Sequence, residues 1–362
     1  MDWEPVREKL VAAVKDLSIG HPYVVIDGLL GGWAKALAEE ADSLEFASKL
    51  LPHTFQFFAG GQQHFFKHPG RRYLDLDAAR QEGQPTSLTS HAPRLMRFAV
   101  DMLPDLVASL RAAVPKLGLA ETAPHVKLQL TTGEVGCTPC HYDTSYNDPT
   151  SLQLSILIYL SEGWCPEWGG ELQLVPFLEP PVLLAPSFDR CVLFLADRRL
   201  HRSLPPRGPG VQKHRWLLTA WLDGTRVDAP LWNSSQLAPS LQRLLAPALH
   251  RELYLEALRQ SLPPYALARE ALLREQRQQI EELEKDETLM GLLEGLRELR
   301  AQAQAEDADD ASKRRRTATE AVRSSAKLRH GPSSGAPNRS SASKCWCKLE
   351  FQTAKGLDEA TW

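Results

Sequence analysis

Five short β-rich runs, separated by glycine and proline, lie between residues 125 and 222 and limit the fold more than any other feature of the sequence. Each run is six to eight residues long, and no helical segment comes between them as it would in alternating βαβ units. The sequence therefore predicts a mainly β core, a sandwich or a jelly roll. The runs are His125–Leu130, Gln153–Leu160, Glu171–Pro176, Arg190–Leu195 and Arg215–Leu222.

The residues ahead of this core alternate between helical and extended patterns. Residues 5–17 and 33–44 place apolar side chains at helical spacing, and the β-branched run Pro22–Asp27 between them predicts a strand. Residues 60–84, rich in Gly, Gln, His and Arg, predict a loop or irregular strands, whereas residues 94–117 predict another helix. We expect these helices to support the β core.

The sequence becomes helical beyond Pro230. Residues 236–300 are rich in Leu, Ala, Glu, Gln and Arg, and their helical period is interrupted at Pro239, Pro247 and Pro263-Pro264. An apolar stripe near the end fits packing on the rest of the chain or on a partner helix. The stripe consists of Leu289, Leu292, Leu293, Leu296 and Leu299.

These patterns divide the chain into three predicted parts. The first is a domain at residues 1–228, with its core at about 125–224, and the second is a helical extension at residues 229–300. The third, residues 301–362, carries acidic, basic and Ser/Gly/Pro-rich stretches and is predicted to be disordered. Its basic run Lys313–Arg316 fits a nuclear-import signal, a nucleic-acid patch or a merely solvated segment.

Charge and cysteine content narrow the function classes. The formal charge is −3 over 362 residues, so no whole-protein field attracts nucleic acid or an anionic membrane. The N-terminal segment is acidic and lacks an apolar stretch long enough for a secretory signal or a membrane span. Six cysteines are too sparse for a disulfide scaffold, so we expect free thiols in an intracellular protein, cytoplasmic and with the nucleus as a second location.

A histidine and a carboxylate two residues apart, His141 and Asp143, point the same way on an extended strand. Two histidines and one carboxylate on one face of an octahedron are the ligand set of iron(II) oxygenases, which leave positions open for cosubstrate and O₂. His201, which follows the apolar strand Cys191–Leu195, is the best candidate for the third ligand. Taken alone, His-x-Asp is a weak motif that also fits a solvated loop.

Arg215 opens an apolar strand in which alternate residues share a face. A buried arginine there presents the bidentate fork that suits the far carboxylate of a dicarboxylate cosubstrate, and Thr219 on the same face can donate to that carboxylate. Tyr159 can present its hydroxyl to the same anion. The alternatives are an exposed strand arginine and a tyrosine at the edge of the core.

The segment Cys137-Thr138-Pro139-Cys140-His141 also has the form used for covalent haem attachment. That chemistry needs an exported chain, and the same histidine already serves the His-x-Asp pair, so we reject it. A zinc site built from these cysteines with Cys345 and Cys347 lacks paired spacing within one folded unit. Structural thiols are the preferred interpretation.

Several blocks together resemble the prolyl hydroxylase branch of the 2-oxoglutarate oxygenases, most closely the hypoxia-inducible-factor prolyl hydroxylases and related prolyl 4-hydroxylase-type domains. The resemblance covers about residues 21–224, and the blocks match in order and spacing. They are Pro22–Leu30, His141–Asp143, Tyr159-Leu160 with Trp164 and Gly169–Leu172, Ser187–Arg190, Asp197–Arg199 leading to His201, and Arg215–Trp221.

This resemblance implies a double-stranded β-helix, a jelly-roll form, with supporting N-terminal helices. It implies iron(II) at His141, Asp143 and His201, and 2-oxoglutarate held by Arg215 with help from Tyr159 and Thr219. It further implies O₂ as oxidant, ascorbate as auxiliary reductant, and a protein or peptide with proline as substrate, while a free amino acid stays open.

Two departures from the family pattern affect the rim of the site. Thr131-Thr132-Gly133 stands where the family often has Tyr-Pro-Gly, and Pro205–Gly210 enlarges the turn between His201 and Arg215. Both bear on peptide specificity and leave the predicted metal ligands intact. A competing hypothesis is a catalytically inactive oxygenase fold that binds partners through its helical extension.

Overall fold

The computed structural model describes residues 2–59, 62–76, 88, 90–144, 150–225, 237, 239–262 and 269–305. Within these ranges ten strands form two antiparallel sheets, one of seven strands in the order β1-β8-β5-β10-β4-β3-β2 and one of three in the order β7-β6-β9. The strands are β1 (Val24–Asp27), β2 (Leu51–Ala59), β3 (Gln62–Asp75), β4 (His125–Thr131), β5 (Thr150–Tyr159), β6 (Leu172–Val175), β7 (Val182–Leu184), β8 (Arg190–Leu195), β9 (Leu200–Ser203) and β10 (Arg215–Thr225).

Within the described residues, four helices with complete bounds precede the central strands and four follow them. The first are α1 (Glu4–Ser18), α2 (Gly32–Phe46), α3 (Pro93–Arg97) and α4 (Leu103–Ala113), the last two joined by a π-helical turn (Phe98–Met102). The second group comprises α5 (Pro239–Leu249), α6 (Arg251–Ser261), α7 (Arg269–Lys285) and α8, residues 287–305. Short 3₁₀ turns cover Pro115–Leu117, Pro166–Trp168 and Gly208–Gln212.

The alternation of β5 shows how the sheet is buried on both faces. Leu154, Ile156 and Ile158 pack with the N-terminal helices in the largest apolar cluster. Leu157 and Tyr159 point the other way and pack with residues of β6, β7 and β8. Because side chains on a strand alternate between faces, one strand supplies both layers, which is why its sequence is apolar at nearly every position.

The predicted fold class is confirmed: a mainly β core of the jelly-roll type carries helices at its N-terminal and C-terminal sides. All five predicted β-rich runs form strands. Strand β3 arises where a loop or irregular strands were predicted, whereas β2, β7 and β9 were not predicted at all. These segments lack the continuous β-rich pattern of the predicted runs, and pairing with neighbouring strands makes them strands.

The helical extension packs on the β core near the predicted metal ligands. Its residues Leu245 and Leu293 share an apolar cluster with Cys140 and Leu200, which adjoin His141 and His201 in the sequence. Within the predicted stripe Leu293 and Leu296 are buried, Leu289 and Leu292 are partly buried, and Leu299 is 51% exposed. The stripe therefore packs within the chain.

Two details of this region differ from the sequence prediction. Pro239 begins α5 and Pro247 lies inside its last turn, so the break falls at His250 and not at a proline. Helix α8 continues to residue 305, five residues beyond the predicted end of the extension. Pro263-Pro264 and the remainder of the predicted tail, including Lys313–Arg316, lie outside the described residues.

A search of the described helices finds none with the length and apolar character needed to cross a membrane.

Candidate metal centre and its cavity

The structure brings His141, Asp143 and His201 together, and one ligand atom from each lies within 4.8 Å of the others. The Nε2 atoms of both histidines are 3.7 Å from Oδ1 of Asp143. His141 belongs to no regular strand. A single antiparallel bridge to His201 of β9 holds it in place, so the extended His-x-Asp geometry depends on a contact with a distant strand.

Hydrogen bonds behind the three side chains fix the direction of their ligand atoms. Nδ1 of His141 lies 2.9 Å from the carbonyl oxygen of Pro139, and Nδ1 of His201 lies 3.1 Å from that of Arg199. A carbonyl only accepts, so both rings carry the proton on Nδ1 and turn the Nε2 lone pair towards Asp143. The hydroxyl of Ser155 donates to Oδ2 of Asp143 at 2.6 Å, which leaves Oδ1 for a metal.

The electrostatics of this cluster favour the protonation states that bind metal. Burial, followed by the neighbouring His201, lowers the pKa of His141 to about 4, so its imidazole is neutral at pH 7. Burial acts to raise the pKa of Asp143, but His201, His141 and the Ser155 hydrogen bond outweigh it, and the pKa is lowered overall. Neutral imidazoles and an ionised carboxylate are the required ligand forms.

The donor set fits a metal of borderline softness with open coordination positions. Two imidazole nitrogens and one carboxylate oxygen on one face make the arrangement of non-haem iron(II) sites. Asp143 is held through its second oxygen, and both histidines are held through their second nitrogen, as ligands of a protein metal site commonly are.

Arg215 is 2% exposed and lies in the same cavity as the three ligands. It donates to the carbonyl oxygen of Gly170 and, at 3.2 Å, to the hydroxyl of Thr131. Its Nε is buried without a hydrogen-bond partner, and no described carboxylate forms an ion pair with it. Burial lowers the pKa of Arg215. A buried guanidinium without a negative partner is energetically costly, and an anion bound in the cavity would remove that cost.

The cavity has a volume of about 380 Å³, within the range of small-molecule sites. Alternate residues of β10 line it, as predicted from the strand period: Arg215, Leu217, Thr219 and Trp221. Tyr159 of β5 reaches the same space, because it lies opposite Leu217 of β10 in the sheet register. All six residues that the sequence analysis selected therefore line one cavity.

Tyr159 and Thr219 both have a proton to donate into this space. Burial raises the pKa of Tyr159 to about 12, although Arg215 acts against it, so the phenol stays protonated. Thr219 accepts a hydrogen bond from Nε2 of Gln129 at 3.2 Å. Its own hydroxyl proton is therefore available to an acceptor in the cavity.

Several lining residues were not selected from the sequence. His53 and Phe55 come from β2, Arg71 from β3, and Lys127 and Gln129 from β4. For β4 a signal was present, because Lys127, Gln129 and Thr131 recur at every second position in an apolar strand. Arg71 gave no such signal, since its segment reads as a loop.

The cysteines ahead of His141 take no part in the cluster. Cys137 and Cys140 are buried free thiols, and burial raises the pKa of Cys137 to about 11 and that of Cys140 to about 12. The neighbouring Thr138 and Pro139 line the cavity instead. The described cysteines are free, as predicted, whereas Cys345 and Cys347 lie outside the described residues.

Comparison with known proteins gives a consistent result. Residues 128–223, from β4 to β10, match the sequence model of the 2OG-Fe(II) oxygenase superfamily. A solved structure of prolyl 4-hydroxylases from Phytophthora capsici is 30% identical, has a TM-score of 0.64, and the match covers 83% of this chain and 96% of the other. No curated protein sequence matches the chain.

Two further solved structures are similar over a smaller share of the chain. A Pseudomonas putida prolyl-4-hydroxylase is 23% identical with a TM-score of 0.45, over 60% of this chain and 100% of the other. A Trichoplax adhaerens prolyl hydroxylase, solved with a hypoxia inducible factor peptide fragment, is 17% identical with a TM-score of 0.45. The match covers 61% of this chain and 93% of the other.

The similarity to the Phytophthora structure, at 30% identity, extends over more than two thirds of both chains. The superfamily match, residues 128–223, includes the three candidate ligands and Arg215. The chain therefore belongs to the 2-oxoglutarate- and iron(II)-dependent oxygenase superfamily, in the branch of the prolyl hydroxylases.

Proposed function

We propose that this protein hydroxylates a prolyl residue of a peptide or protein, with iron(II) bound by His141, Asp143 and His201 and 2-oxoglutarate held by Arg215. One observation carries the proposal: three ligand atoms within 4.8 Å of one another share a cavity with a buried arginine that has no carboxylate partner among the described residues. When bound, iron(II) supplies the oxidative step in which 2-oxoglutarate, O₂ and a C–H group give succinate, CO₂ and an alcohol.

The residues of the chain bind and orient the cosubstrate. Arg215 pairs with the far carboxylate, and the hydroxyls of Tyr159 and Thr219 donate to the same group. Leu157, Leu172 and Leu217 line the space beside it and cover its carbon chain. An apolar lining excludes water, so the charge-assisted bonds of Arg215 are stronger than at the surface.

The rest of the cavity lining is left for the substrate. Phe55 and Trp221 contribute aromatic rings to this lining, and an apolar pyrrolidine ring packs well on such surfaces. The prolyl assignment also draws on the similarity to prolyl 4-hydroxylases from Phytophthora capsici. Positioning by these walls, together with the fixed ligand atoms, determines which carbon reacts.

The proposal is tested by incubating the full chain with iron(II), ascorbate and 2-oxoglutarate and measuring succinate. Peptides and lysate proteins are then searched by mass spectrometry for a cosubstrate-dependent gain of one oxygen. Oxygen on proline is the expected result, and omission of ascorbate is expected to lower turnover as inactive enzyme accumulates. Oxygen on lysine or asparagine would exclude the prolyl substrate, and a failure to bind iron would favour the scaffold hypothesis.

We further propose that residues 1–228 carry the oxygenase activity and that the extension supports it. For its location, we propose an intracellular protein with nuclear entry directed by Lys313–Arg316. Imaging the full chain and a variant with these four residues changed to alanine tests the latter: equal nuclear fractions would exclude the signal.

A further inference from the structure

The cavity holds a second buried arginine, Arg71 of β3, which is 7% exposed. In the sheet register Arg71 lies opposite Thr131, and Thr131 lies opposite Arg215. The two arginines therefore occupy one row across three neighbouring strands, with their Cα atoms roughly 10 Å apart. Burial, followed by the charge of Arg215, lowers the pKa of Arg71 to about 9, which leaves it protonated at neutral pH.

The contacts of Arg71 leave its charge uncompensated. Its Nη2 donates to Oε1 of Gln129 at 2.5 Å, and its guanidinium lies 5.8 Å from the ring centre of Phe55. Its Nε is buried and has no hydrogen-bond partner. No carboxylate in the described part of the chain pairs with it, whereas the nearby Lys127 has Asp75 at 3.4 Å.

A charge count shows what this arginine lacks. The positive charges of iron(II) and Arg215 are balanced by Asp143 and by the two carboxylates of 2-oxoglutarate. The charge of Arg71 is then left over inside a buried cavity, where an unpaired ion is costly. One further negative charge neutralises the site, which matches a carboxylate and not a doubly charged phosphate monoester.

The position of Arg71 favours the primary substrate as the source of this negative charge. Gln129 accepts from Arg71 and donates to Thr219, so the amide stands between Arg71 and the residues assigned to the cosubstrate. Arg71 therefore lies beside the residues assigned to the cosubstrate and next to the ring of Phe55, which also lines the cavity.

We propose that Arg71, oriented by Gln129, binds a carboxylate of the primary substrate, either the α-carboxylate of a proline-containing molecule or an acidic side chain beside the proline. This inference rests on the proposed roles of the three metal ligands and Arg215. It narrows the substrate class to molecules with a negative charge close to the carbon that is hydroxylated.

The test uses the full chain with Mn(II) in place of iron and 2-oxoglutarate bound, so no turnover occurs. Binding of cyclopentanecarboxylate and of cyclopentanecarboxamide is measured by NMR, from the paramagnetic relaxation that Mn(II) causes in the protons of the bound ligand. We expect the carboxylate to bind roughly 10- to 100-fold more tightly than the amide. The R71Q variant is expected to abolish this difference and to leave the Kd of 2-oxoglutarate within about threefold.

The matched control is R72Q, because Arg72 is the next residue on the strand, faces away and pairs with Glu45. It is expected to keep the preference for the carboxylate. If R71Q does not fold, R71K, which keeps the charge and loses the fork, is expected to retain part of the preference. Equal binding of acid and amide by the wild type overturns the inference whatever the variants do.

Two other results are also decisive. A loss of 2-oxoglutarate affinity in R71Q as large as that in R215Q would assign Arg71 to the cosubstrate and overturn the inference. The probes lack the prolyl nitrogen, so an Arg71-dependent preference stands even when no proline is hydroxylated. Two comparisons of binding then identify the carboxylate. Tighter binding of a Pro-Asp than of a Pro-Asn dipeptide, both blocked at their ends, indicates an acidic side chain. Tighter binding of free proline than of prolinamide indicates the α-carboxylate.

Discussion

His141 and His201 pair through their backbones, with the N–H of each donating to the carbonyl oxygen of the other at 3.0 Å. This closed pair joins the segment ahead of Asp143 to β9 and sets the two imidazole rings 4.3 Å apart. The positions of two candidate ligands therefore depend on main-chain atoms, which side-chain substitution leaves in place. The third candidate ligand, Asp143, depends on a side chain, Ser155.

Replacing Ser155 with alanine is expected to weaken metal binding without unfolding the protein. The change removes the 2.6 Å hydrogen bond that turns Oδ1 of Asp143 towards the histidines. Loss of such a supporting bond lowers metal affinity roughly 10- to 100-fold. The measurement is titration of the metal-free protein with Co(II), followed by absorbance.

The control for this experiment is S109A, which removes a hydroxyl that bonds only to the carbonyl oxygen of Asp105 in helix α4. We expect its Co(II) affinity to equal that of the wild type. Equal affinity in S155A as well would show that Asp143 is oriented by other contacts.

Gly170 governs the placement of Arg215, so G170A is expected to impair cosubstrate binding. Its φ is +73°, and an added Cβ would lie 3.2 Å from Cδ of Arg215 and 3.1 Å from the Trp164 ring. The side chain of Arg215 must shift, and a misplaced binding group costs roughly 10- to 100-fold in affinity. The Kd of 2-oxoglutarate for the Mn(II) protein is the quantity to measure.

G163A separates this effect from backbone strain. Gly163 also has a positive φ, +66°, but a Cβ there meets nothing within 4 Å. Both variants should lose about 1–2 kcal/mol of stability from the left-handed conformation. A similar rise in the 2-oxoglutarate Kd for both would mean that strain, and not contact with Arg215, is responsible.

The site illustrates which features the sequence reveals and which it hides. The strand period of β10 was sufficient to place Arg215 and Thr219 on one face, because alternation is a local property. His201 was recognisable as a residue, but the strand that carries it was not, since β9 has four residues and forms through pairing with β6. Arg71 was missed because its place in the cavity depends on the pairing of β3 with β4, which is distant in the sequence.

The helical extension is expected to stabilise the metal centre. Leu245 of α5 is fully buried in the cluster that contains Cys140 and Leu200, which adjoin the candidate ligands His141 and His201 in the sequence. L245A creates a cavity there and is expected to cost about 2–5 kcal/mol in the free energy of unfolding. It should also lower Co(II) affinity, because the segments beside His141 and His201 lose their support.

L299A provides the comparison, since Leu299 lies on α8 with 51% of its surface exposed. Its effect on unfolding in urea should stay within about 0.5 kcal/mol, with unchanged Co(II) affinity. A destabilised L245A that binds Co(II) as tightly as the wild type would show that the extension adds stability alone.

Acid is expected to destabilise the protein partly through His250, at the junction of α5 and α6. This ring is 2% exposed and donates from Nε2 to the carbonyl oxygen of Phe177 at 3.2 Å. Burial, followed by the charge of Arg300, lowers its pKa to about 4 from the ordinary 6.5. The unfolded chain then takes up a proton below pH 6.5, whereas the folded chain resists it until about pH 4.

The contribution of His250 to the free energy of unfolding is therefore fully present above pH 6.5. As the pH falls from 6.5 to about 4, this contribution decreases by about 3 kcal/mol. H250Q keeps a donor for Phe177 and removes the titrating group, so its free energy of unfolding should fall less between pH 6.5 and 4. Urea unfolding at several pH values measures this slope, with H21Q as the control because His21 is exposed. The half-buried His53 and the buried His68, with pKa values of about 3 and 4, and His141, with a pKa of about 4, keep some acid sensitivity in every variant. A slope in H250Q as steep as that of the wild type would show that His250 contributes nothing to the acid sensitivity.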